Sequence, residues 1–286
     1  LGHIVAGAKT TPICELELEL LAGQPAALFE VAQQIASTIA VLPFNTSKAE
    51  RGYALAQGSL DAALNARPPK LKNKLTLPAA AACVLREMFS QFTTNLNALR
   101  SSDDPEVVHQ ARVGWRRFRS ALRLFKPALA EKAAPSWQAL QPLLDFLGEL
   151  RDLDVAGTDT LPPLADAYAA GDARRAQAWQ AMAQALLQAT HLQRKSVRYA
   201  LQAPAVGATL LAITQWLEEL SAPHAPGDAA PDEKVSLKRW SRRRISRQHR
   251  QLKTARRDPT HPDAQHRTRI LAKRLRAWIN ADGFIT

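Results

Sequence analysis

At 286 residues with 46% apolar content, the chain has length for one large domain or two and enough apolar surface to bury a core, which sets aside the disordered class. Two cysteines in unrelated apolar contexts, Cys14 and Cys83, set aside a disulfide scaffold and fit a reducing, cytoplasmic compartment. A net charge of +12 and a pI near 10.1 point to a polyanionic partner, although net charge by itself is equally a device for solubility.

In chain order, residues 13–21, ICELELELL, alternate strictly. Cys14, Leu16, Leu18 and Leu20 fall on one face and Glu15, Glu17 and Glu19 on the other, which predicts a β-strand. Three carboxylates on one strand face read either as a solvated face or as an interior that holds divalent cations or cationic side chains. Residues 25–40 read as a helix, and 47–55, SKAERGYAL, as a short element ending as a strand. Residues 59–78, with a Pro pair and scattered lysines, read as an extended linker.

From residue 79 the pattern is helical. Val84, Leu85, Met88, Phe92, Leu96 and Leu99 give a core face up to about Arg100, and Ser102 or Asp103 is the expected cap of the next helix, with Pro105 in its first turn. In that helix, HQARVGWRRFRSALRLF at 109–125, Val108, Ala111, Trp115, Phe118, Leu122 and Phe125 recur in steps of three and four and share a face. His109, Arg112, Arg116, Arg119 and Arg123 recur the same way as a second stripe, and no acidic residue lies between His109 and Lys126. Residues 135–150 read as another helix, followed by Arg151-Asp152-Leu153-Asp154; the D-x-D reads as a metal ligand pair or as a charge pair with a basic helix. One or two helices follow over 164–202, with Trp179, Met182, Leu186 and Leu187 as candidate core, and another over 206–220. The longest mainly apolar run, 205–217, is too short to span a bilayer. Residues 221–232 are loop by composition.

The charge is concentrated near the end: residues 234–276 hold 16 Lys or Arg against 2 Asp. A helix over 235–257 puts Arg239, Arg243, Arg247 and Arg250 on one face, with Leu237, Trp240, Ile245 and Leu252 as its apolar contacts. In HRTRILAKRLRAW, His266, Arg269, Lys273, Arg274 and Arg276 repeat the offsets of His109, Arg112, Arg116, Arg117 and Arg119, an internal repeat that implies two related halves.

The paired motif H-x-x-R-V-x-x-x-R-R-x-R at His109 and H-x-x-R-x-x-x-K-R-x-R at His266, with L-G-x-x-R-D-x-D at Leu147 between them, resembles the CHAD domain from residue 79 to the end. The resemblance implies a mainly α fold of two antiparallel helical bundles related by a pseudo-two-fold, with the last helices of the second bundle missing from 79–286. It also implies non-catalytic binding of inorganic polyphosphate by the basic residues of both motif helices, and Arg239, Arg243, Arg247 and Arg250 of the third, Arg-rich helix are expected to join them, because a helix so charged repels itself unless a counterion is near. Residues 1–58 resemble the C-terminal half of a CYTH domain, the α+β triphosphate tunnel. By that resemblance Glu15, Glu17 and Glu19 would face Mg2+ or Mn2+, and Lys48 and Arg51 would face phosphate. The family's opening E-x-E-x-K strand is absent from this sequence, so no catalysis and no required cofactor are expected.

Nucleic acid is the rival partner by charge, but no helix-turn-helix, zinc-finger or RNA-recognition signature is present, and Trp115, Phe118 and Trp278 fall on core positions rather than among the bases. His109 and His266, each taken to begin a basic helix, read as locally packed, as phosphate donors or as metal ligands; no paired ligand spacing surrounds them. A polyphosphate binder of this kind is expected in the cytoplasm, on polyphosphate or storage-polymer granules.

Overall fold

A computed structural model describes residues 1–69, 71, 75–129, 133–221, 237–255, 264–265 and 268–272. Two strands, β1 (Gly2–Ala6) and β2 (Lys9–Ile13), form an antiparallel hairpin with Ala6 opposite Lys9. Gly7 opens its turn at a φ of 61°, a left-handed conformation that glycine adopts without steric cost. The α-helices that follow are α1 (Pro25–Ala36), α2 (Lys48–Gln57), α3 (Leu77–Ala98), α4 (Pro105–Phe125), α5 (Gln141–Val155), α6 (Ala165–Ala169), α7 (Ala173–Ala200), α8 (Pro204–Ser221) and α9 (Leu237–Ala255). The fold is mainly α, as the composition and periodicity predict.

The residues group into two compact units, and α3, α4 and α8 contribute to both. The first comprises Leu1–Asn65, Phe92–Arg112 and Pro135–Ile213. Its core holds Phe92 and Leu96 of α3, Leu99 just after it, Val107, Val108 and Ala111 of α4, and Leu143, Leu147 and Leu150 of α5, all at or near zero exposure. The N-terminal stretch is stitched to this body by polar contacts. Asn95 exchanges two hydrogen bonds of 3.0 Å with the backbone of Leu64, Asn97 donates to the Pro43 carbonyl at 3.0 Å, and Gln33 donates to the Ala208 carbonyl at 3.2 Å. The Val41 carbonyl lies so close to Gly207 of α8 that a Cβ there would meet its oxygen.

The second unit comprises Ala66–Gln91, Val113–Ala134 and Thr214–Thr286. Phe118 of α4 lies between aromatic neighbours, 5.2 Å from Phe89 of α3 and 5.6 Å from Trp115. Arg86 of α3 ties the end of α8, donating to the Glu218 carboxylate at 3.0 Å, the Ser221 hydroxyl at 2.8 Å and the Leu217 carbonyl at 3.4 Å.

The structure corrects several expectations from the sequence. The predicted strand over 13–21 is not formed: β2 ends at Ile13, and residues 14–20 have no regular secondary structure, with Leu16, Leu18 and Leu20 exposed. Alternation marks a strand only where a neighbour supplies the ladder, and among the described residues β2 pairs with β1 alone. Residues 47–55 do not end as a strand but lead into and form α2. That helix starts on a capping box in which the Ser47 hydroxyl accepts from the Glu50 N–H and the Glu50 carboxylate accepts from the Ser47 N–H. The cap of α4 is Asp104, whose carboxylate accepts from the Glu106 N–H at 2.8 Å, so His109 lies in the second turn rather than at the start. On α7, Met182 and Leu187 are exposed rather than core. The loop over 222–232 and the repeat residues His266, Lys273, Arg274 and Arg276, with Trp278, lie outside the described residues. Among the described residues no single helix is long and apolar enough to cross a membrane.

The Gly207–Val41 approach gives a direct test. Gly to Ala inside a helix normally stabilises by about 1 kcal/mol. Gly207→Ala should instead destabilise by about 1–3 kcal/mol, because the Val41 backbone, unlike a side chain, cannot swing aside. A lower thermal midpoint than wild type is the expected reading; an unchanged or higher one contradicts the close approach.

Candidate functional site

The site is built on α4. At roughly 100° per residue, His109, Arg112, Arg116, Arg119 and Arg123 fall within an arc of roughly 80°. Val108, Ala111, Trp115, Phe118, Ala121 and Phe125 are buried on the other side of the helix. Arg116, Arg119 and Arg123 are exposed, and His109 and Arg112 are half-buried. Among the described residues none of these five is paired with a carboxylate; the one acid of α4 is Glu106 in its first turn, where it complements the helix dipole and accepts from Gln110 at 2.7 Å.

Arg112 and Arg117 show how the helix distributes its guanidinium groups. Arg117 lies off the stripe. Its Nη1 donates to Gln91 Oε1 at 2.6 Å and its Nη2 to the Arg67 carbonyl at 3.4 Å. Burial pulls its pKa below the ordinary value, with Glu87 pulling the other way, yet an arginine stays charged. Its donors face protein acceptors, which makes Arg117 a packing residue rather than a member of the exposed line. Arg112 has no such acceptor among the described residues. Its guanidinium rests on Gly148 of α5, so that a Cβ at Gly148 would lie 3.0 Å from Nη1 and 3.9 Å from Cζ.

In the second unit α9 brings the other basic face. Arg239, Arg242, Arg243, Arg247, Arg250 and Lys253 are exposed, while Leu237, Ile245, Leu252 and Arg244 are half-buried and Ser241 is buried. Trp240 anchors the helix by stacking on Phe125 of α4, with centroids 5.2 Å apart and planes 7° from parallel. That contact uses the apolar sides of both helices and leaves Arg116, Arg119 and Arg123 of α4 and the six bases of α9 exposed. Of the second motif, Arg269 is helical and exposed.

Sequence reasoning missed a group on α7. Arg194 is buried and donates from Nη2 to Asp154 Oδ1 at 3.1 Å, with its Nε 3.6 Å from Asp103 Oδ1. One turn on, Arg198 donates to Asp103 Oδ1 at 2.8 Å and to the carbonyls of Leu99 and Ser102 at 3.0 and 3.1 Å. The D-x-D is therefore split: Asp154 forms a charge pair, with α7 rather than with the basic helix α4, and Asp152 is exposed. Burial pushes the Asp154 carboxyl above its ordinary value against the pull of Arg194 and Arg151. The i, i+4 spacing of Arg194 and Arg198 is the signal the sequence offers, but nothing in it names the acidic partners.

At the N-terminal stretch the expected metal-side carboxylates meet cations of the chain itself. Glu15 accepts from Arg51 at 2.6 Å and lies 3.2 Å from Lys48, which also donates to Glu17 at 2.8 Å. Burial would raise the Glu15 pKa, but the hydrogen bonds from Lys48 and Arg51 prevail and hold it below the usual carboxylate range. Glu15 and Glu17 are thus paired with Lys48 and Arg51, and among the described residues no group of three His, Cys, Asp or Glu is placed to hold a metal ion.

Residues 83–281 match the CHAD domain family, a span that contains both histidine motifs and the L-G-x-x-R-D-x-D segment. The crystal structure of the CHAD domain from the plant Ricinus communis is similar at 28% sequence identity and a TM-score of 0.60, over 78% of this chain and 71% of that one. The family match leaves residues 1–58, with their CYTH resemblance, outside it.

The buried Asp154–Arg194 pair can be tested by two substitutions. Asp154→Ala strands the buried Arg194 charge and should cost about 3–5 kcal/mol in thermal or denaturant unfolding. Asp154→Asn keeps an acceptor for Arg194 and should cost less. The folded-state pKa of Asp154 is raised, so wild-type stability falls as pH rises from about 4, the unfolded value, through the folded value. The Asn variant lacks that titration. Its deficit relative to wild type should therefore be largest near pH 4 and shrink toward neutrality; a deficit that grows with pH contradicts the assigned direction.

Proposed function

This chain belongs to the CHAD family, and from that membership and the basic faces of α4 and α9 we propose that it binds inorganic polyphosphate without turning it over. One observation carries the reading. Exposed guanidinium groups are ranked along rigid helices with no carboxylate of the described chain to neutralise them. A helix that holds like charges on adjacent turns is destabilised by their repulsion, and a polyanion relieves it. Polyphosphate carries about one charge per phosphate and offers no base to read. Arginine suits it because the planar fork donates two parallel hydrogen bonds to phosphate oxygens.

The binding set comprises His109, Arg112, Arg116, Arg119 and Arg123 on α4 and Arg239, Arg243, Arg247 and Arg250 on α9. It also includes His266, Arg269, Lys273, Arg274 and Arg276 of the repeated motif. Arg117 supports α4 from behind. No metal or cofactor enters the proposal, and the cytoplasm, at polyphosphate or storage-polymer granules, is the proposed location.

Nucleic acid is disfavoured by where the aromatic rings lie. Trp115 and Phe118 are buried, so the exposed face of α4 has bases but no stacking platform.

The test is long-chain polyphosphate binding by wild type and by Arg116→Ala/Lys273→Ala at two or more salt concentrations. Wild-type affinity should fall steeply with salt. The double variant should bind more weakly and with a shallower salt dependence, the log–log slope falling by on the order of 0.7 for each phosphate ion pair removed. Displacement of polyphosphate by DNA or RNA at equal phosphate concentration would overturn the reading, as would an unchanged slope in the variant.

A further inference from the structure

We infer that Gly148 is a positioning residue for the anion site: its bare backbone seats the Arg112 guanidinium on α5 and holds it ready for a phosphate. The inference rests on the polyphosphate reading and deepens it at one position. Gly148 lies in the interior of α5, between the buried Leu147 and Leu150 turns, at a φ that any residue could adopt. Conformational freedom therefore does not explain a glycine there, and in mid-helix it costs stability relative to alanine. What explains it is space, because the atom nearest to an added Cβ is Arg112 Nη1 at 3.0 Å.

The remaining surroundings of Arg112 show why the seat matters. Of the four carboxylates on α5, Asp145 accepts from Gln141 at 2.7 Å, Glu149 from Gln193 at 2.9 Å and Asp154 from Arg194 at 3.1 Å. Asp152 is exposed and makes no bond to Arg112. Among the described residues no acceptor takes a hydrogen bond from this guanidinium. Arg112 is thus half-buried and held by shape rather than by a countercharge, with its donors open to an incoming anion. Arg116, Arg119 and Arg123, further along the stripe, are exposed. A restrained guanidinium loses less rotamer freedom on binding, so Arg112 is the preorganised contact of the stripe.

The obstruction at Gly148 is the far end of a flexible side chain. An added methyl should therefore displace the guanidinium and leave the fold in place. Affinity for long-chain polyphosphate and thermal midpoint are measured together for wild type, Gly148→Ala, Arg112→Ala and the double variant. Gly148→Ala should bind about three- to tenfold more weakly, the scale of a misplaced charge-assisted contact, with a midpoint equal to or above wild type. In the Arg112→Ala background the same change should leave affinity unaltered and still not lower the midpoint.

Wild-type affinity retained by Gly148→Ala overturns the inference, as does an equal loss in the Arg112→Ala background, which would mean that the methyl acts elsewhere. Loss of folding by Gly148→Ala also overturns it, because the obstructing group would then not be movable. Absence of polyphosphate binding by wild type rejects the functional reading itself, whereas wild-type binding with an indifferent Gly148→Ala rejects this inference alone.

Discussion

The structure depends on one helix that must be held firmly from one side only. On α4 three arginines, Arg116, Arg119 and Arg123, face solvent on adjacent turns with no acid among them. Each like-charge neighbour costs a few tenths of a kcal/mol, whereas each fully buried large apolar side chain contributes about 1.5–3 kcal/mol. With Val108, Trp115, Phe118 and Phe125 buried, and Phe118 set between Phe89 and Trp115, packing outweighs repulsion by a wide margin. The stripe is tolerated because nothing on its own face is needed to hold the helix.

The arginines divide by what their donors touch. Arg86 ties α8, Arg117 meets Gln91 and Arg67, and Arg194 and Arg198 bind Asp154 and Asp103. These hold elements together, and removing Arg194 takes a charge partner from the buried Asp154. The α4 stripe and the outer face of α9 touch no described carboxylate. A net charge of +12 does not separate the two classes, since it counts them alike. Geometry separates them: Arg117, which the repeated motif groups with the stripe, lies off it and donates to Gln91 and the Arg67 carbonyl.

Legibility in the sequence follows the same division. The α4 and α9 faces can be read because helical spacing alone places residues three and four apart together. The paired histidine motifs carry the family for the same reason. Contacts between distant segments cannot be read. ICELELELL has the alternation of a strand, but a strand needs a partner, and here the partner of β2 is β1 on its other side in sequence. Around α2 the signal is present in the sequence: Ser47 and Glu50 have the capping-box spacing, and the helix starts there rather than giving way to a strand. Met182 and Leu187 look like core by composition, but α7 is buried chiefly toward its end, at Arg194 and Val197. Gly148 is visible within its motif, yet the reason for it, a guanidinium arriving from α4, exists only once the two helices pack.

The helix α9 takes the same physics to its limit. It concentrates six exposed bases, Arg239, Arg242, Arg243, Arg247, Arg250 and Lys253, on a segment whose apolar contacts are few. Trp240, stacked on Phe125, is its large anchor, since Leu237, Ile245 and Leu252 are only half-buried. On α4 packing exceeds repulsion several-fold; on α9 the two effects are far closer. Any anion that binds the outer face of the docked helix more tightly than the same residues undocked must stabilise the docking by that difference in affinity. Among the described helices α9 thus combines a basic face with little apolar support, whereas α4 is secured by its buried side.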